Sequence, residues 1–187
     1  MNPPLIVLFI SFFVALAMSG ILLVIARTYP KTIRGLREWS AASLVIALCF
    51  PLFIARGRIP DLFSIVLPNL MLLIALMVMN VGTRKFSGTP PRFDRAPLFL
   101  FVFAYVALFA WFTYVQPDIR ARIAIQVLFT LAVVLDQLVL VLKALPGTLG
   151  RHVLVFSLTI MIGSRIVRLG ALAIGFDPPA GLFDAST

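Results

Sequence analysis

Six apolar runs, each about as long as one bilayer crossing, leave so little remaining chain that they decide what this sequence can fold into. A transmembrane helix needs about 20 mostly apolar residues, within a range of about 17–25. Runs of that kind cover residues 5–26, 39–55, 61–82, 97–114, 119–142 and 153–176. Arg27, Arg56 and Lys143 close the first, second and fifth, and Gln116, Pro117 and Asp118 form a turn signal between the fourth and fifth. Pro51, near the end of the second run, predicts a kink or an early stop. The expected fold is therefore all-α: a polytopic transmembrane bundle of six spans, with residues 1–187 as a single membrane domain.

Composition supports the same solvent. Hydrophobic residues make up 61% of the chain and charged residues 12%, against about 45–50% and about 25% in soluble domains. With a mean hydropathy of +1.09, the chain has too little polar surface for a disordered segment, a secreted disulfide scaffold or an ordinary soluble enzyme. The single cysteine, Cys49, lies inside an apolar run and reads as a buried, inert thiol. No loop is long enough to fold as a soluble domain.

The net charge of +9 reads as topology. In a soluble protein it would suggest nucleic acid, but here Lys and Arg sit between apolar runs and no basic, aromatic-lined groove is visible. Arg27, Lys31, Arg34 and Arg37 follow span one; Arg84, Lys85, Arg92 and Arg95 follow span three; Lys143 and Arg151 follow span five. The alternate loops hold only Arg56, Arg58, Arg120 and Arg122. Because basic short loops stay cytoplasmic, the N-terminus is expected outside, and after six spans the C-terminal tail of residues 177–187 lies outside too. Met1, Asn2, Pro3 and Pro4 supply no positive n-region, so the first span reads as an uncleaved helix.

Chemistry is sparse. The chain has no Walker A loop, Cys-x-x-Cys pair, His-Glu-x-x-His or Gly-x-Ser-x-Gly elbow. No catalytic residue, cofactor or metal is expected. His152, the only histidine, stands beside Arg151 at the mouth of span six and reads as an interfacial residue, with a pH sensor as the alternative. No internal repeat is clear enough to argue an inverted-repeat transporter.

Ionisable residues inside spans are costly and mark either interior contacts or wet cavities. Three lie well away from the span ends: Asp136 in span five, and Arg165 with Arg168 three residues apart on one face of span six. At about 1.5 Å per residue, Asp136 lies roughly 10 Å and Arg165 roughly 20 Å from the cytoplasmic side. Spans five and six are antiparallel and helical side chains lean toward their own N-terminus, so the two lean toward each other. An Asp136–Arg165 contact is expected, directly or through Gln137 or water, as a structural ion pair or a switch. A sharper reading groups Arg165 and Arg168 with Asn69 and Gln126 in an outward-facing polar pocket for an anionic, carbonyl-bearing or lipidic ligand. Snorkelling of Arg168 to headgroups is the third reading.

Aromatic residues support the topology. Trp39, Trp111 and Tyr114 fall near span ends, where such rings anchor at the interface, whereas Tyr105 is mid-span and reads as core. Ala15, Ser19 and Gly20 are small residues that permit close helix approach.

Two stretches go beyond generic membrane patterning. Arg27, Pro30, Ile33, Arg34, Gly35, Leu36 and Trp39 form a basic, Pro-containing Ile-Arg-Gly-Leu-x-x-Trp loop. Leu62, Ser64, Leu67, Pro68 and Asn69 open span three, which leaves through Gly82, Thr83, Arg84, Phe86 and Gly88. Both resemble the N-terminal membrane region of bacterial diguanylate cyclases of the GGDEF type. The likeness runs over residues 4–183 and is strongest in these two segments.

That resemblance implies an inner-membrane input module acting as a homodimer, with a GGDEF output domain in the cytoplasm that makes cyclic di-GMP. The chain departs from the pattern in holding no Gly-Gly-Asp-Glu-Phe motif. With both termini expected outside, a seventh span and the output domain are expected after residue 187. A small-solute transporter or channel-like protein, and a structural subunit of a membrane complex, are the competing expectations.

Overall fold

The computed structural model describes residues 3–28, 34–90 and 95–175. It is an all-α bundle with six helices long and apolar enough to cross a membrane, as the hydropathy pattern predicts. They are α1 (Pro3–Thr28), α2 (Leu36–Ile54), α3 (Leu67–Ser87), α4 (Arg95–Ala110), α5 (Ile119–Ala144) and α6 (Leu149–Ala173). Lys31, Arg92 and the expected outer tail lie outside the described residues.

The breaks between helices have local causes. Pro51 sits inside α2, which ends at Ile54. Gly57 adopts φ 80° in the turn that follows, a conformation that costs a residue without Cβ little. A π-helical turn, Leu62–Val66, precedes α3 and takes up the register disturbed by the missing N–H of Pro68. A second such turn, Trp111–Val115, ends the α4 run. Asp118 then caps α5, its carboxylate accepting the backbone N–H groups of Arg120 at 2.8 Å and Ala121 at 3.2 Å.

The main departure from the expected spans lies in α3. It continues to Ser87, five residues past the expected end at 82. Gly88 (φ 71°) stops it, and the Thr89 N–H returns to the Arg84 carbonyl at 3.0 Å. Arg84 and Lys85 therefore belong to the last helical turn and not to a loop.

The described residues of Met1–Gly82 and of Thr83–Pro178 form two compact units. In the first, α1 packs along α2 through small residues. Leu36, Ser40, Ser43 and Ala47 are buried on one stripe of α2, spaced as a helix face requires. Ser19 on α1 and Ser40 on α2 clasp each other: Ser19 Oγ donates to the Ser40 carbonyl at 3.0 Å, and Ser40 Oγ to the Ser19 carbonyl at 2.9 Å. Ser19, singled out as a small association residue, makes this contact, whereas Gly20 faces open space.

In the second unit the core follows α5. Gln126, Thr130, Val134, Gln137 and Val141 are buried on one stripe. Tyr105 of α4 is fully buried against it, its ring tilted on Phe109 at 5.5 Å and edge-on to Phe129 at 5.3 Å. On α6 only Leu158 is buried, and α1, α4 and α6 present open apolar side chains such as Val14, Phe99 and Val167. In water that surface would be a liability; in a bilayer it is ordinary lipid-facing surface.

Candidate functional site

Polar side chains converge where the last turn of α3 meets α5. Thr83 is almost completely buried and its hydroxyl accepts from Gln137 Nε2 at 3.4 Å. One residue later, Arg84 Nη2 lies 2.6 Å from Asp136 Oδ2, with about one seventh of each side chain exposed. Successive residues of α3 thus engage successive residues of α5. Arg84 also donates to the Pro90 carbonyl at 3.4 Å, tying the pair to the segment that leaves α3.

The carboxylate expected to meet Arg165 therefore meets Arg84. Depth along the helices explains it. Asp136 lies eight residues before the end of α5, about 12 Å by helical rise. Arg84 lies three residues before the end of α3, about 5 Å, and its long side chain leans toward the N-terminus, deeper by about the remainder. Arg165 lies 16 residues from the start of α6, about 24 Å, so even a side chain leaning toward Asp136 falls short. Counting Arg84 as a loop residue hid this partner.

Arg165 instead stands half-buried on α6. Its Nε is enclosed without a hydrogen-bond partner among the described residues, while Arg168, one turn on, is exposed. Two cations on one helix face repel each other and favour an anion that answers both.

The other two members of the expected pocket are engaged locally. Gln126 is buried in the second unit, where its side-chain carbonyl accepts from the Tyr105 hydroxyl. That contact satisfies the one polar atom of a fully buried ring. Asn69 belongs to the first unit and donates from Nδ2 to the Ile65 carbonyl of the preceding turn at 2.7 Å. Tyr105 is core, as its mid-span place suggests.

A second constellation lies wholly within the first unit. Gly35 precedes α2 with φ 95°, and a Cβ there would come within 2.2 Å of the Gly82 carbonyl oxygen. A Cβ on Gly82 would meet the Trp39 ring at 2.6 Å. The Trp39 indole N–H donates to the Met79 carbonyl of α3 at 3.2 Å. The loop that opens α2 and the exit of α3 thus touch, glycine on glycine and tryptophan over glycine.

The remaining reactive groups are quiet. The Cys49 thiol is buried and donates to the Val45 carbonyl one turn back at 3.2 Å. His152 is exposed, its Nδ1 2.8 Å from the Thr148 carbonyl. Among the described residues no three of His, Cys, Asp and Glu gather to hold a metal ion.

Sequence reasoning missed Arg84 and Thr83 as interior groups. Span parity was the available signal: the third and fifth apolar runs are both odd-numbered, so their C-terminal ends are expected on the same side of the bilayer. Compared with known family models, curated proteins and solved structures, the chain matches none.

Proposed function

We propose that this chain is the membrane-embedded input module of a bacterial signalling protein of the inner membrane, with its N-terminus outside. In this reading it works as a homodimer and regulates a cytoplasmic diguanylate cyclase domain carried outside these 187 residues. The observation that carries the reading is the meeting of Gly35 and Trp39 with Met79 and Gly82. Residues that resemble the same family in two separate segments build one close contact, which gives their spacing a physical reason.

The mechanism follows from α3. Its last turns hold the glycine contact and then the Arg84–Asp136 pair. An ion pair away from water is costly to open by halves, because each charge left alone pays its desolvation. It therefore favours two discrete arrangements over a continuum. Arg165 and Arg168 are the groups through which a small anionic or lipidic signal would bias α6.

Solute transport is the competing reading. Along α5, however, Gln126 closes on Tyr105, Thr130 on the Gln126 carbonyl of its own helix, and Gln137 on Thr83. Those closures favour a packed input bundle over a conduit.

The test is cyclic di-GMP in a host stripped of its own cyclases and expressing the complete reading frame. Wild-type protein should raise it, and Asp136→Asn at equal membrane abundance should shift the level severalfold. No rise with wild-type protein would remove the signalling reading, and solute uptake under the same expression would replace it.

A further inference from the structure

A cavity of about 280 Å³ opens between α1 and the end of α2. Phe9 and Phe12 of α1 form one wall, and Pro51, Ile54 and Ala55 the other. The space has a sequence cause. Phe9 and Phe12 are three apart and share a face, while Ala55, one turn beyond Pro51, offers only a methyl group opposite them. Five of the six lining residues are apolar.

The sixth is Arg58. The turn at Gly57 places it there, and its backbone N–H bonds the Ala55 carbonyl at 3.0 Å. Arg58 is exposed, and among the described residues no ion pair engages it. Asp61, three residues on, is also exposed and makes no ion pair with it.

We propose that this groove binds an anionic phospholipid of the host bilayer, one acyl chain between Phe9, Phe12 and Ile54 and the phosphate on the Arg58 guanidinium. An apolar slot whose lining includes one planar, bidentate cation matches an amphiphile with an apolar tail and an oxyanion head. The slot lies between two membrane helices, so the bilayer supplies that ligand. The site belongs to the first unit alone and does not depend on the signalling reading.

The test is lipid retention. Protein in nanodiscs of equimolar phosphatidylglycerol and phosphatidylcholine is released into neutral detergent and weighed by native mass spectrometry. One phosphatidylglycerol per chain should stay bound in preference to phosphatidylcholine. Arg58→Gln should lower that retention about tenfold, the loss of one charge-assisted contact, and Arg58→Lys by less, because it keeps the charge and loses the fork. Ala55→Phe should displace the lipid by filling the slot with the charge intact, whereas Ala107→Phe, on an exposed position of α4, should change nothing. Equal retention of the two lipids, or unchanged retention in both Arg58→Gln and Ala55→Phe, overturns the proposal. Oleate bound in place of phosphatidylglycerol overturns it as well.

Discussion

In the first unit the helices meet through their backbones: Gly35 against Gly82, the Trp39 indole on the Met79 carbonyl, and two serines exchanging bonds with each other's carbonyls. In the second they meet through side chains: Arg84 on Asp136, Gln137 on Thr83, Tyr105 on Gln126. Lipid tails are as apolar as leucine, so neither unit gains from apolar contact between helices as a soluble core does. Small residues let backbones approach until dispersion and carbonyl acceptors hold them. Paired polar groups hold because separation would strand each of them in a medium without water. A backbone contact tolerates no added atom, while a polar pair tolerates the removal of both partners better than of one.

The sharpest way to break the first contact is to add a side chain. Gly35→Val places a Cβ against the Gly82 carbonyl and a branched residue at φ 95°. Its expected cost is about 3–5 kcal/mol, combining overpacking with left-handed strain. Unfolding in mixed micelles or by steric trapping should show that loss, and Gly20→Ala, in open space, should show none. A tolerated Gly35→Val would mean that the glycine contact does not hold α2 to α3.

The polar unit should fail asymmetrically. Asp136→Leu removes the carboxylate from the part-buried Arg84 and should cost about 3 kcal/mol, the lower end for buried pairs because part of each side chain stays exposed. Arg84→Met with Asp136→Leu should recover most of that loss. A double variant as unstable as the single one would show that the pair is not coupled.

The serine clasp is the smallest effect. Ser19→Ala or Ser40→Ala should cost about 0.6 kcal/mol each, the average for interhelical bonds in a membrane protein. The double variant should cost less than twice that if the reciprocal bonds act as one unit. A loss above about 2 kcal/mol for either single variant would place the clasp among the main supports of the first unit.

Much of the fold was legible because hydropathy and turn chemistry act locally. Gln116, Pro117 and Asp118 mark the break between the fourth and fifth runs, and α5 starts directly after it. The end of α3 is not marked locally: the apolar run closes at Gly82, yet that glycine is buried within the helix against Trp39 and the helix continues to Ser87. That extension turned Arg84 from a loop charge into the partner of Asp136. Arg165, on the adjacent antiparallel span, leans toward Asp136, but the difference in depth between the two exceeds what that lean covers. Asn69 and Gln126 hold the partners Ile65 and Tyr105, which hydropathy does not specify because it does not say which way a helix face turns.

The sequence by itself determined the solvent, the helical class and the number of apolar crossings, because each depends on runs of neighbouring residues and on the energy of moving them out of water. Which polar group answers which was decided only in the tertiary structure. In a bundle whose helices are almost uniformly apolar, periodicity says little about lateral neighbours. The choice falls to a few ångströms of depth at Arg84 and to the absent Cβ atoms of Gly35 and Gly82.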